Sequence, residues 1–212
     1  MPSKSKRAPK AAAAYHHRDL RRALLDEAVA VLMETGTDDF TLRSLARRLG
    51  VSHAAPYAHF ADKSALLEEI AAVGFVQLRE AMLEASAPVV DSPRERMIAI
   101  GLGYIRFGLE HPAHYRLMFT AAEVCGPNKP EIVERTGSAC FQVLIDSLDA
   151  LRPDAAERFG PNRPDAVAAW SLVHGLALLT IDQRQKYEMQ TDAGLAISEA
   201  ALRLLLSGLH PD

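Results

Sequence analysis

Apolar residues recur at intervals of three and four along most of this chain, which is the spacing of one face of an α-helix. Leu20, Leu24, Ala28 and Val31 follow this spacing, and Gly36 ends the first predicted helix. No stretch alternates between apolar and polar residues for long enough to predict a strand. The pattern therefore predicts an all-α protein.

Capping residues and helix breakers divide the pattern into successive helices. Thr41 is expected to cap a short helix that ends at Gly50, and Ser52 to cap the helix after it. Asp62 and Ser92 are expected to begin two longer helices. The second of these is expected to reach Glu110, a short segment over residues 113–119 follows, and further helices are predicted near residues 130–151, 165–187 and 193–209. The chain then divides into a flexible basic arm, a front domain and a body, at residues 1–15, 16–62 and 63–212.

Composition indicates a soluble protein with a packed core. The 212 residues are 49% hydrophobic, and Arg, Glu or His interrupts each apolar stretch before the roughly 18 to 20 residues needed to span a bilayer. Cys125 and Cys140 are too few for a disulfide framework, so both are expected to be free thiols. We therefore expect a cytoplasmic protein without a membrane segment.

Charge is distributed unevenly between the two domains. Residues 1–63 hold 11 Lys and Arg against 7 Asp and Glu, whereas the remainder holds 13 against 20. A basic front domain on an acidic body suggests that the front domain meets a polyanion, although an acidic excess is also typical of soluble surfaces.

The histidine pairs do not have the spacing of a metal site. His53 and His59 are six residues apart and point in different directions on a helix. His111 and His114 have a suitable spacing, but Pro112 breaks the helix that would align them. No metal and no cofactor are expected.

Residues 42–60 have the pattern of a helix-turn-helix. Leu42, Leu45 and Leu49 form a buried stripe, Ala46 is small enough for a helix crossing, and Gly50 can take the left-handed conformation that ends the helix. The second helix carries short side chains and no acid, so its backbone can lie deep in a major groove while His53 reaches a base edge or a phosphate.

This segment also resembles a known family. LRSLARRLGVSHAAPYAHFADKSALL is similar to the DNA-binding segment of the TetR family of bacterial transcriptional regulators, although Pro56 stands where that family usually has Leu or another apolar residue. The resemblance implies that Tyr57 and Lys63 contact phosphates, and that Arg43 and His53 lie at base edges. The full set of expected DNA-contacting residues is Thr41, Arg43, Ser52, His53, Ala54, Ala55, Tyr57, His59 and Lys63.

The body contains candidate residues for a ligand pocket. Gly101, Gly103 and Gly108 lie inside one predicted helix, where glycine is unfavourable, so they indicate either close helix crossings or room for a ligand. AWSLVHGLALL resembles the Trp-x-x-x-His-Gly signature of a TetR subgroup. For His174 the residues leave open a buried ring bonded to a backbone carbonyl or carboxylate, or a ligand contact. The expected pocket residues are Tyr104, Phe107, Tyr115, Met118, Phe119, Phe141, Trp170 and His174.

The last two helices are apolar on two sides, which one domain does not explain. Trp170, Val173, Ala177 and Ile181 line one side of the first, and Leu172, Leu176 and Leu179 line another. Burying both sides calls for a second copy of the chain, and members of the TetR family form such dimers.

We interpret the chain as a homodimeric, DNA-binding transcriptional repressor that is not an enzyme. Its expected partners are a pseudo-palindromic DNA operator and a small apolar or aromatic effector that releases it. Two alternatives remain open from the residues. One is an all-α enzyme, although no catalytic set of side chains is legible, and the other is a DNA-binding protein without an effector.

Overall fold

The computed structural model describes residues 17–35, 39–124, 130–154, 157–158, 160, 162–187 and 191–209, and all regular structure within these residues is helical. This confirms the predicted all-α class. The basic arm at 1–15 and Cys125 lie outside the described residues. The helices are α1 (His17–Thr35), α2 (Leu42–Arg48), α3 (Lys63–Ser86), α4 (Pro93–Glu110), α5 (Pro112–Val124), α6 (Glu131–Leu151), α7 (Pro164–Tyr187) and α8 (Thr191–Leu209), with a short 3-10 helix at Ala55–Ala58.

Three predicted helix starts are confirmed. At each start, a side chain accepts a hydrogen bond from one of the backbone N–H groups that the first turn of the helix leaves without a partner. Oγ1 of Thr41 accepts the backbone N–H of Ser44 at 3.1 Å, within a reciprocal capping box. Asp62 caps α3, and Ser92 caps α4 ahead of Pro93 at the first helical position.

The prediction that Ser52 caps an α-helix is wrong. The segment after Gly50 forms a turn and then the 3-10 helix Ala55–Ala58, which Ala54 precedes without a side-chain cap. Pro56 has no N–H to donate to the carbonyl of Ser52, four residues earlier, so Ala55 donates to that carbonyl instead, at 3.0 Å. The side chain of Pro56 is fully buried and fills the core position where an apolar residue is usual.

Two helices contribute to both of the larger hydrophobic cores among the described residues. Leu66 and Ile70, in the first half of α3, pack into the front core with α1 and α2, whereas Leu78 and Met82 pack into the body core. On α5, Leu117 belongs to the front core, while Tyr115 and Met118 belong to the body core. The front domain is therefore joined to the body by continuous packing along α3 and α5.

Close helix crossing explains Gly103. A Cβ there would lie 2.8 Å from the backbone oxygen of Ala81 and 2.9 Å from Cβ of Ala85, so α4 can approach α3 only with glycine at this position. Gly101 faces the last helix instead, where a Cβ would lie 2.9 Å from Cδ1 of Leu202.

Helices α7 and α8 close the body and leave one apolar side uncovered. Val173, Ala177 and Ile181 point into the body core, so the first of the two predicted sides is satisfied within the chain. Leu179 and Leu204 are 59% and 76% exposed. By length and composition alone, Pro164–Asp182 is long and apolar enough to cross a membrane. The expectation that no stretch of the chain would qualify is therefore wrong. The buried face of this segment belongs to the core of the body.

Candidate functional site: a helix-turn-helix face and a body cavity

The turn between α2 and the 3-10 helix has the geometry that a helix-turn-helix requires. Gly50 adopts a φ of +70°, in the left-handed region that glycine enters without strain. The N–H of Val51 then donates to the carbonyl of Ala46 at 3.0 Å, which fixes the corner. Leu42, Leu45 and Ala46 are buried beneath it, as the sequence pattern predicts.

The nine residues expected to contact DNA are all described, and most lie on the open surface of this corner. Thr41, Arg43, Ser52, His53, Ala54 and Tyr57 are exposed, whereas Ala55, His59 and Lys63 are half-buried. The ammonium of Lys63 lies 5.0 Å from the ring centre of Phe40, a cation–π contact that holds the side chain beside the start of α3.

Several arginines of the front domain are engaged within the chain. Arg48 forms ion pairs with Glu27 and Glu34, and its hydrogen bond to Glu34 holds the pKa of that carboxyl below its usual range. Arg21 pairs with Glu69 and lies over the ring of Phe60. These two arginines brace α1 against α2 and α3, so their first role is structural.

The body contains a cavity of about 530 Å³ between α3, α4, α5, α6, α7 and α8. Most of its wall is apolar or aromatic. Within the described part of the chain, Glu134 is the only charged residue of the wall, and it lies at the exposed start of α6. The wall is formed by Phe75, Leu78, Met82, Met97, Ile100, Gly101, Tyr104, Met118, Phe119, Pro130, Val133, Glu134, Gly137, Ser138, Cys140, Phe141, Gln142, Leu144, Ala169, Trp170, Val173, Leu202, Leu205 and Leu206.

Five of the eight expected pocket residues lie in this wall, namely Tyr104, Met118, Phe119, Phe141 and Trp170. The other three do not reach it. Phe107 packs in the core beside His111, with ring centres 4.9 Å apart. Tyr115 and His174 lie behind the wall, where both bond to Tyr104.

Sequence reasoning missed the contributions of α3 and α8. Phe75, Leu78 and Met82 recur at helical spacing on α3, and that spacing was the signal available for them. The last helix adds Leu202, Leu205 and Leu206, which were not among the expected pocket residues.

A polar triangle of two buried tyrosines and the half-buried His174 joins three helices at the wall. The hydroxyl of Tyr104 on α4 lies 3.0 Å from Nδ1 of His174 on α7, and the hydroxyl of Tyr115 on α5 lies 2.8 Å from the same nitrogen. The two hydroxyl oxygens are 3.2 Å apart. The partners of His174 are thus two phenols, rather than the backbone carbonyl or carboxylate considered from the sequence.

Burial favours the uncharged form of each member of this triangle. It raises the pKa of Tyr104 and of Tyr115 well above their usual range, and it lowers the pKa of His174. Aromatic rings hold the imidazole in place, with Phe119 edge-on at 4.4 Å and Trp170 at 5.4 Å between ring centres.

Nucleophilic or metal chemistry finds no support in the described part of the cavity wall. Burial raises the pKa of the Cys140 thiol to about 12, and its Sγ lies 3.7 Å from Sδ of Met82. The described residues also contain no group of three His, Cys, Asp or Glu side chains placed to hold a metal ion.

Two family models match the two parts of this architecture. Residues 24–70 match the model of bacterial regulatory proteins of the tetR family, and residues 97–205 match the tetracyclin repressor-like C-terminal domain. The chain belongs to the TetR family. It is therefore a DNA-binding transcriptional regulator, as predicted from its helix-turn-helix.

Similarity to individual proteins extends over nearly the whole chain. The HTH-type transcriptional regulator BetI of Cronobacter sakazakii is 26% identical over 194 residues, which are 90% of this chain and 93% of that protein. A solved structure of a protein of unknown function from Rhodococcus sp. RHA1 is 30% identical with a TM-score of 0.73, covering 90% of this chain and 96% of that one. The TetR-family regulator PfmR of Thermus thermophilus shares the fold at 24% identity and a TM-score of 0.63, covering 88% and 98%.

Proposed function

We propose that this regulator is a cytoplasmic repressor that a small apolar or aromatic effector releases from its operator. The observation that carries the proposal is the position of the cavity. Phe75, Leu78 and Met82 line it from α3, whose first turns pack in the front core. Met118 and Phe119 line it from α5, whose Leu117 packs in the same front core. A molecule that displaces these side chains acts directly on the two helices that hold the DNA-binding corner.

The energetic requirement for release is modest. A ligand shifts an equilibrium between two arrangements only by its difference in affinity for them, so a hundredfold loss of operator affinity needs about 2.7 kcal/mol. That difference is comparable to burying one large apolar side chain. An apolar ligand that fits one arrangement of α3 and α5 better than the other can supply it.

The operator is read by the exposed corner of each subunit. His53 and Arg43 are assigned to base edges, and Tyr57 and Lys63 to phosphates. Tyr57 is 49% exposed, which leaves its hydroxyl free to approach the DNA backbone. A two-fold dimer would place two such corners about 34 to 36 Å apart, in successive major grooves of a pseudo-palindromic site.

A second copy of the chain is proposed to cover the open side of α7 and α8. Leu179, Ile197 and Leu204 are 59%, 62% and 76% exposed on these helices. Gly175 lies in the middle of α7, and a Cβ there would meet nothing within 4 Å of its own chain. Glycine costs about 1 kcal/mol in a helix interior, and the close approach of a partner helix would explain its presence.

Sedimentation tests this dimer. Leu204→Glu places a charge on the open side and should give a folded monomer, and Gly175→Ala should weaken the dimer while making the isolated helix more stable. Val173 is unsuitable for this purpose because it faces the cavity. If Leu204→Glu remains a dimer at micromolar concentration, the interface lies elsewhere.

Binding to the DNA upstream of its own gene distinguishes an effector-released repressor from the alternatives. Fluorescence anisotropy should show specific binding that weakens steeply with salt, because several phosphates lose counterions. A panel of apolar metabolites should contain compounds that lower this affinity. Tight binding that no compound changes would favour an effector-independent DNA-binding protein, and turnover of a compound would favour an enzyme.

A cavity-filling variant locates the effector site. Gly137 lines the cavity, and a Cβ there would make ordinary contact with the Phe75 ring at 3.6 Å. Gly137→Leu should therefore fold, fill part of the cavity and abolish the response to effector, whereas Gly137→Ala should keep it. An unchanged response in a folded Gly137→Leu variant would place the effector outside this cavity.

A further inference from the structure

Gly74 marks the point on α3 where the buried face of the helix passes from one core to the other. Ile70, Gly74 and Leu78 follow one another at intervals of four residues, so they lie on one face. Ile70 packs in the front core, Leu78 packs in the body core, and Gly74 is buried between them. Glycine is unfavourable in a helix interior, so its presence here calls for a reason in packing.

That reason is the side chain of Met118 on α5. A Cβ at Gly74 would lie 2.6 Å from Sδ of Met118 and 2.8 Å from its Cγ. The thioether therefore occupies the space that a side chain at residue 74 would take, and it rests on the backbone of α3. Met118 is 3% exposed, and Leu117, the residue before it, is buried in the front core.

Met118 also faces the cavity. It belongs to the cavity wall, whereas Gly74 does not, so the thioether lies between the cavity and this part of the α3 backbone. A ligand that presses on Met118 meets a side chain whose place beside Gly74 is already filled. The displacement is then passed to the backbone of α3, which cannot turn away by a change of rotamer.

A neighbouring pair of side chains also joins α3 to α5 at the wall, but it has more freedom. The rings of Phe75 and Phe119 meet edge to face, with centres 5.6 Å apart. Both rings are half-buried, and each can rotate about its side-chain bonds when a ligand approaches. The contact of Met118 with Gly74 is therefore a more direct connection from the cavity to α3.

We propose that Met118 transmits occupancy of the cavity to the DNA-binding domain by pressing on α3 at Gly74. The inference rests on the proposed function of the cavity as the effector site. Met118 is a positioning residue, because it acts on DNA binding through α3, between the two cores. Gly74 serves the same role from the other side, since a helix position without a Cβ lets the thioether reach the backbone.

Met118→Ala should separate ligand binding from DNA binding. N-phenyl-1-naphthylamine is an uncharged aromatic probe whose fluorescence rises in apolar surroundings, and it should bind wild type but not the cavity-filling Gly137→Leu variant. In wild type, saturating probe should lower the affinity for the DNA upstream of its own gene by about fivefold or more. Met118→Ala should still bind probe and DNA, but the ratio of DNA affinities without and with probe should fall to about one.

Met97→Ala is the matched control. It also truncates a buried methionine of the wall, which is 5% exposed, but Met97 lies on α4, and none of the described residues of α4 belongs to the front core. The probe should therefore lower DNA affinity in this variant as it does in wild type. A loss of packing is common to both variants, so the ratio of DNA affinities distinguishes transmission from a structural role.

Gly74→Ala tests the same contact from α3 and does not depend on the folding of Met118→Ala. Its Cβ should turn the flexible thioether into the empty cavity, so the affinity for the probe should fall by about fivefold or more. Adding Met118→Ala to the same chain should restore it. Gly101→Ala is the control, because its Cβ would displace a different wall residue, Leu202, at 2.9 Å. Met118→Ala should not restore probe binding there.

Three results would overturn the assignment. They are an effect of the probe on DNA affinity that is as large in Met118→Ala as in Met97→Ala, an equal loss of this effect in both variants, and wild-type affinity for the probe in Gly74→Ala. Failure of the proposed function gives a different result. The probe then leaves the DNA affinity of wild type unchanged, or it binds Gly137→Leu equally well, and the inference fails with the effector site.

Discussion

The hydroxyl of Tyr115 lies 2.8 Å from Nδ1 of His174, and this contact links α5 to α7 inside the body. Two residues further along α5, Leu117 is buried in the core of the front domain. The same short helix therefore touches the polar triangle, the cavity and the DNA-binding domain. One helix thus connects His174 to the core of the front domain.

Acid should destabilise the protein through His174. Burial lowers the pKa of this ring below its ordinary value, so the unfolded chain binds a proton more readily than the folded chain. The free energy of unfolding is then fully maintained above about pH 6.5 and falls as the pH drops toward the folded pKa. Urea unfolding at pH 8.0, 6.5 and 5.5 measures this slope.

His174→Gln should reduce the acid-dependent loss, because the variant has no ring to protonate. Burial and the neighbouring His111 lower the pKa of His114 as well, so part of the slope should remain. His53→Gln changes an exposed ring and is the control. An identical slope in wild type and His174→Gln would show that His174 is not a source of the pH dependence.

Gly103→Ala should destabilise the protein by about 1 to 3 kcal/mol, although alanine is the better helix former. Its Cβ would lie 2.8 Å from the oxygen of Ala81, and a backbone atom cannot turn away as a side chain can. Gly137→Ala is the matched control, because its nearest contact would be an ordinary 3.6 Å to the Phe75 ring. Thermal unfolding of the two variants should therefore shift in different directions, and equal shifts would contradict the close crossing of α3 and α4.

A buried ion pair fixes the start of α7. Arg163 donates to both carboxylate oxygens of Asp165 at 3.0 Å and to Asp149 of α6 at 2.8 Å, and Asp165 is only 4% exposed. Hydrogen bonds from Arg163 hold the pKa of the Asp165 carboxyl below its usual range. Asp165→Asn should cost about 2 to 3 kcal/mol, because it leaves a buried guanidinium without its principal counter-charge.

Asp149→Asn is the comparison for that variant. The side chain of Asp149 is 42% exposed, so its bond to Arg163 competes with water and its loss should cost under about 1 kcal/mol. Chemical denaturation of both variants measures the difference. Equal losses would show that burial does not set the strength of these two bonds.

Local chemistry made some of this structure predictable from sequence. Thr41 and Asp62 act on backbone groups three residues away, so their capping roles are visible in a short stretch of chain. The length of the helix after Ser52 was misjudged, because the missing N–H of Pro56 outweighs the capping tendency of Ser52. The role of Gly103 depends on Ala81, which lies 22 residues earlier, and no local pattern identifies such a partner.

The thiol of Cys140 should be almost unreactive in the native protein. Burial raises its pKa to about 12, so very little thiolate is present near neutral pH. In a Cys125→Ser background, iodoacetamide at pH 8 should modify Cys140 far more slowly than it modifies the urea-unfolded chain. Mass spectrometry measures both rates, and comparable rates would mean that the cavity wall opens readily to solvent.

Four substitutions at the DNA-binding corner should fall into two classes. His53→Ala and Arg43→Ala remove side chains assigned to base edges, so each should relax the choice of base at particular positions by about 1 to 3 kcal/mol. Tyr57→Phe and Lys63→Ala remove groups assigned to phosphates, so each should weaken binding to cognate and random DNA alike. Lys63→Ala should also make the affinity less dependent on salt, since one fewer counterion is released.

Arg48→Ala is the structural control for these four variants. Arg48 is bound to Glu27 and Glu34, so its loss should lower stability before it changes base preference. Affinities for a cognate site, single-base variants of it and random DNA, measured at two salt concentrations, distinguish these outcomes. If all four variants lose the same affinity on cognate and random DNA, then His53 and Arg43 do not read bases, and the exposed corner recognises only the phosphate backbone.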